Sequence, residues 1–187
     1  MTQLFSILVP RDKKLFKHIF VLATPVIISN FSRVLMGIVD LVMVGHLGAS
    51  ALAAVGMAGM VTWTAMSLGI ALRTGTQTIV SRRLGEKKYD QCSVALRNIQ
   101  LFSLIIGVPV SFICYYFTTP IISFFISDPD TLWQCIDYAK FNFLGVYFIY
   151  ASFVFQGFYT GIEKTKIHMK AVLASNILNI YLNVGLI

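Results

Sequence analysis

Two ionisable residues stand where a chain this apolar can least tolerate them. The stretch from Ser32 to Gly48, SRVLMGIVDLVMVGHLG, places Arg33 and Asp40 in a segment otherwise greasy enough to cross a bilayer. A charge at the bilayer centre costs about 2.5–3.5 kcal/mol on the insertion scale, and each Leu, Ile, Val or Phe returns only about 0.3–0.6 kcal/mol. Arg33 and Asp40 together cost up to about 6 kcal/mol, close to everything the apolar residues of the segment supply. Such a helix needs partners or a wet cavity, and an intramembrane ionisable residue is by default a functional candidate. Burial disfavours a carboxylate relative to its protonated form, which suits Asp40 to a proton-coupled cycle. The competing reading is structural. Arg33 lies seven residues before Asp40, two turns away on the same helical face, and an ion pair would hold Asp40 ionised.

A second polar set lies near the end of the sequence. Asn176, Asn179 and Asn183 recur at spacings of three and four, so they share one helix face. Amides offer carbonyl oxygens to a cation and both donors and acceptors to a hydrogen-bond network. The plainer alternative is interhelical bonding, worth about 0.6 kcal/mol per bond in membranes. Gln156 is a polar residue in an apolar segment and a candidate to line a cavity. Pro25 and Pro109 interrupt the backbone ladder and mark kinks or hinges. Gly56, Gly59, Gly69 and Gly75 favour close helix packing. Arg73 lies towards the end of its segment, where it can snorkel. Cys92, Cys114 and Cys135 lack C-x-x-C or metal spacing and read as membrane packing residues and one loop thiol. No H-E-x-x-H, G-x-S-x-G or paired-carboxylate pattern occurs, so the expectation is a non-enzyme without cofactor or metal.

The elements that carry these residues follow from composition. Of 187 residues, 57% are hydrophobic and 12% charged, against about 25% charged in soluble domains. This predicts an all-α polytopic membrane protein over 1–187 without a soluble domain, with five spans at about 16–44, 51–80, 99–117, 131–161 and 168–187. The fourth opens on SDPDT, with Asp128 or Asp130 as the helix cap. Basic residues collect in three segments: Arg11, Lys13, Lys14 and Lys17; Arg82, Arg83, Lys87, Lys88 and Arg97; Lys164, Lys166 and Lys170. Asp128, Asp130 and Asp137 fall on the opposite side. That asymmetry predicts a multi-pass protein of the cell (inner or plasma) membrane with a cytoplasmic N-terminus. The net charge of +7 is then a topology signal rather than a nucleic-acid footprint. The last span is still apolar at Ile187, so the expected protein is longer, with this sequence as its first part.

The order of these features resembles a known family. ATPVIISNFSRVLMGIVDLVMVGHLGASALAAVGMAGMV is similar to the opening of the multidrug and toxic compound extrusion (MATE) family, in which an early proline is followed fifteen residues later by an aspartate and then a V-G-x-L-G turn. LRTGTQTIVSRRLGEKKYDQC, SDPDTLWQCIDYAKF and NILNIYLNVGLI resemble later family segments in the same order. The resemblance implies five helices of a first six-helix lobe, in a secondary antiporter exporting organic cations in exchange for protons or sodium. It carries the coupling aspartate over to Asp40, its cation ligands or hydrogen-bond partners to Asn179 and Asn183, and the helix bend to Pro25. Arg33, Asn176 and Gln156 remain further polar candidates for the cleft. Asn183 stands where family members often have Asp, which removes a negative charge, and Arg33 is outside the family pattern. The expected partners are cationic small molecules, the bilayer and the missing C-terminal lobe. The alternatives are a flippase for lipid-linked oligosaccharides of the same superfamily and a truncated, non-transporting membrane fragment.

Overall fold

A computed structural model describes residues 12–186, so the predicted basic residue Arg11 lies outside the described part. The described residues form five α-helices and no strand: α1 (Lys13–Gly45), α2 (Ala49–Gly85), α3 (Tyr89–Ser123), α4 (Pro129–Gly161) and α5 (Thr165–Leu186). The first four are long and apolar enough to cross a membrane. In α5 the asparagines and Lys166 and Lys170 dilute the apolar residues.

The helices outrun the hydrophobic stretches. A 35-residue α3 rises about 52 Å, well beyond a hydrocarbon core of about 30 Å. Its polar first turns, from Tyr89 to Asn98, are therefore helical although hydropathy reads them as a connection. Asp128 caps α4: its Oδ2 accepts from the Thr131 N–H at 2.9 Å and from the Thr131 hydroxyl at 2.6 Å, with a proline opening the first turn. Asp130 stands in that first turn.

The chain divides into two compact units, one drawn from Met1–Met36 with Glu163–Ile187 and the other Gly37–Ile162. In the second, α2 and α4 pack along their length through small residues. A methyl group at Gly69 would lie 2.6 Å from the Phe153 ring, one at Gly161 would lie 3.0 Å from Val80, and one at Gly157 would strike the Arg73 carbonyl. The contacting positions rise together on both helices, so α2 and α4 run parallel. Tyr150 fastens the group: it is fully buried, its hydroxyl donates to the Ala65 carbonyl at 2.6 Å, and its ring fills the notches at Gly69 and Gly107. Ala54, Ala58, Cys135, Ile136, Ala139 and Phe143 extend this core towards the start of both helices. Of the four glycines expected at packing faces, Gly69 meets its neighbours closely. Gly56, Gly59 and Gly75 have nothing within 4 Å of a Cβ among the described residues.

Candidate functional site

The first helix carries the central candidates. Pro25 is buried inside an unbroken α1. Its missing N–H leaves the Val21 carbonyl without a ladder partner. Two hydroxyls act on the same turns: Ser29 Oγ donates to the Pro25 carbonyl and Thr24 Oγ1 to the Phe20 carbonyl, each at 2.7 Å. Back-bonding of this kind bends helices and loosens the local ladder. Proline and buried serine thus form one weak point, and the P-x-x-x-S spacing was readable in the sequence, although only the proline was singled out. Asp40 follows fifteen residues later, about 22 Å along the axis. Asp40 is half-buried, between the exposed Val39 and Leu41. Arg33 is exposed and enters none of the ion pairs found among the described residues.

On α5 the three asparagines divide their roles. Asn176 Nδ2 donates to the Ser32 hydroxyl at 2.8 Å and to the Ser32 carbonyl at 3.2 Å, joining α5 to the first part of α1. Asn183 Nδ2 donates to Asn179 Oδ1 at 2.9 Å, so the two amides form a linked pair one turn apart. Asn179 is exposed and Asn183 half-buried. The arrangement makes Asn176 a brace between helices and Asn179 and Asn183 a bonded amide pair. Ser32, which the brace requires, carried no sequence signal beyond being a hydroxyl in an apolar run.

The remaining candidate is differently placed. Gln156 is 2% exposed, one residue before the Gly157 contact with α2, and so lies inside the Gly37–Ile162 unit. Elsewhere in that unit, Gln100 Oε1 and Ser111 Oγ on α3 are buried polar atoms with no hydrogen-bond partner among the described residues. At the start of α1, His18 Nε2 lies 3.3 Å from Glu163 Oε2, with both side chains about half exposed. No three His, Cys, Asp or Glu side chains come together as metal ligands among the described residues.

Comparison with known proteins gives this arrangement a lineage. The chain is 29% identical over 173 residues to the multidrug export protein MepA of Staphylococcus haemolyticus, covering 92% of this chain and 38% of that protein. It is 33% identical over 99 residues to the multidrug resistance protein NorM of Photobacterium profundum, covering 53% of this chain and 22% of that one. An outward-facing multidrug resistance MATE family transporter of the MOP superfamily superposes with a TM-score of 0.85 at 25% identity, over 89% of this chain and 37% of the other. The chain thus spans a little over a third of the length of its relatives. The MatE family model matches residues 25–184, from the buried proline to the asparagine pair. This multi-pass membrane chain belongs to the MatE family.

Proposed function

We propose that this chain supplies one lobe of a secondary antiporter that exports organic cations from the cytoplasm in exchange for protons or sodium, with Asp40 as the coupling residue. The observation that carries the reading is Asp40 itself, a half-buried carboxyl in a membrane-length helix of a chain related to multidrug exporters. A carboxyl in a membrane-length helix can be ionised with a cation or neutral with a proton, and can exchange one for the other. Asn179 and Asn183 serve as amide ligands or hydrogen-bond partners in that exchange. Transport requires the bound and unbound states of Asp40 to favour different cleft conformations. The weak point at Pro25 and Ser29 lets α1 change shape between them. The protein resides in the cell membrane with its N-terminus cytoplasmic, which places the three basic segments on the inner face. The rest of the cleft comes from the C-terminal lobe.

The test is export from cells by the intact protein. Asp40→Asn should abolish resistance to cationic drugs and efflux of a cationic dye while membrane abundance stays at the parental level. Undiminished efflux at equal abundance would sink the coupling role.

A further inference from the structure

The turn between α2 and α3 gathers charge more tightly than membrane topology requires. Its backbone is a Schellman arrangement: the Lys88 N–H donates to the Arg83 carbonyl at 3.0 Å and the Lys87 N–H to the Leu84 carbonyl at 2.9 Å. The residue forced left-handed is Lys87, with φ 59°, where glycine is the usual occupant. Four cations result within seven positions, Arg82, Arg83, Lys87 and Lys88, and Glu86 stands among them.

Glu86 is the hub of this cluster. Its Oε1 accepts from Arg82 Nε at 3.1 Å, and its Oε2 from Arg83 Nη1 at 3.2 Å and Lys88 Nζ at 3.0 Å. Those bonds, the one from Lys88 foremost and then that from Arg82, hold its carboxyl down to about 2, so the hub stays ionised at any physiological pH. One carboxylate thus gathers three long side chains that would otherwise splay apart in solvent. It uses only part of each. Both Nη groups of Arg82, Nη2 of Arg83 and two ammonium hydrogens of Lys88 remain as donors. Three positive charges remain after Glu86 is counted, and two after Asp90 in the first turn of α3.

We propose that Glu86 holds Arg82, Arg83 and Lys88 as a preformed cationic cradle that seats the phosphate of one anionic phospholipid headgroup. Converging guanidinium and ammonium donors match phosphate oxygens in charge and geometry. The cradle closes the end of a membrane-length helix. Exposed apolar side chains beside it, Ile79 on α2 and Tyr89 and Val94 on α3, offer an acyl chain a surface to follow. That combination favours a lipid over a soluble anion, and juxtamembrane basic clusters are attracted to anionic leaflets. The inference is independent of what the protein transports and in which direction.

The deciding experiment exploits a sign reversal. The intact protein is titrated with phosphatidylglycerol and with phosphatidylcholine, and bound lipid is counted by native mass spectrometry. Glu86→Gln raises the net positive charge. If the cluster attracts lipid by charge alone, this variant binds phosphatidylglycerol more tightly. The cradle predicts the opposite: at least threefold weaker binding and a smaller preference over phosphatidylcholine, with Glu86→Asp recovering part of the loss. Arg82→Gln with Lys88→Gln should weaken phosphatidylglycerol binding about tenfold, and Glu86→Gln added to that pair should change little more. Unchanged or tighter binding by Glu86→Gln overturns the proposal. So does displacement of the lipid by inorganic phosphate at equal concentration, which would make the cluster a site for free anions. Glu86 is solvent-exposed in the turn, and size-exclusion profiles of the variants serve as the check on folding.

Discussion

Helices α1 and α4 are each 33 residues long and similarly apolar, yet they are held in opposite ways. Ten residues of α4 are buried, including Tyr150, Gln156, Gly157 and Gly161. In α1 the buried residues are three: Pro25, Ser29 and Met36. Where α4 meets α2 there is backbone against backbone, with glycines admitting carbonyls and a tyrosine hydroxyl closing the gap. Between α1 and α5 the Asn176 amide donates to Ser32. The difference teaches which element is scaffold and which can work. Close-packed helices resist small displacements because interiors are filled and not continuously deformable. A helix with a proline and two hydroxyl back-bonds can bend at modest cost.

The largest expected effect strikes the scaffold. Gly157→Leu drives a side chain into the Arg73 carbonyl and should cost about 3 kcal/mol or more, read as loss of the monodisperse peak in fluorescence-detected size exclusion. Gly59→Leu, at a position with no close neighbour among the described residues, should leave that peak intact. Equal damage from both would erase the contrast between packed and open glycines. Next comes α1. Pro25→Ala restores a backbone hydrogen bond to Val21 and stiffens the weak point, so it should raise thermal stability while lowering transport at least tenfold; a stabilised variant with full transport would deny the weak point its role. Tyr150→Phe removes one interhelical hydrogen bond and should cost about 0.6–1.7 kcal/mol, lowering the melting temperature by a few degrees without altering transport specificity.

The turns supply the smallest effects. Lys87→Gly relieves a left-handed lysine and should stabilise by roughly 1 kcal/mol, seen as a higher melting temperature. Glu86 and Asp128 both have folded carboxyls held below their ordinary range. Glu86 is lowered to about 2 from 4.5 by Lys88, Arg82 and Arg83, and Asp128 is lowered by the Thr131 hydroxyl and then the Thr131 N–H. A depressed folded value means the unfolded chain takes up the proton first, so the stabilisation is complete above the ordinary carboxylate range. It is lost as pH falls, for Glu86 between about 4.5 and about 2. Both groups are exposed and screened by salt, so the slope should be shallow and flatten further in Glu86→Gln. Melting curves across acidic pH check this.

Different parts of this architecture were legible in the sequence to different degrees, for physical reasons. A bilayer imposes a minimum apolar length, so hydropathy located the helices. It could not find the polar first turns of α3, because immersion and helicity are separate properties. The cap of α4 was narrowed to two aspartates, and only the hydrogen bonds from Thr131 single out Asp128. Gly107, Gly157 and Gly161 went unmarked because a close approach depends on the partner helix, which a single chain of letters does not reveal. The asparagine periodicity was plain. Its division into a brace at Asn176 and a linked pair at Asn179 and Asn183 depends on where Ser32 lies. Asp40 was conspicuous from the outset, since a charge in an apolar span has a large and calculable cost.

The claim that Asp40 exchanges a cation or proton for substrate is tested most directly in proteoliposomes holding the intact protein and a pH-sensitive dye, with sodium present or absent. Adding a cationic substrate to wild-type protein should move protons, or sodium, against it in a fixed ratio. Asp40→Asn should bind substrate yet give no coupled ion movement. Substrate-driven ion flux of wild-type size through Asp40→Asn would contradict the account and move the coupling site elsewhere in the protein.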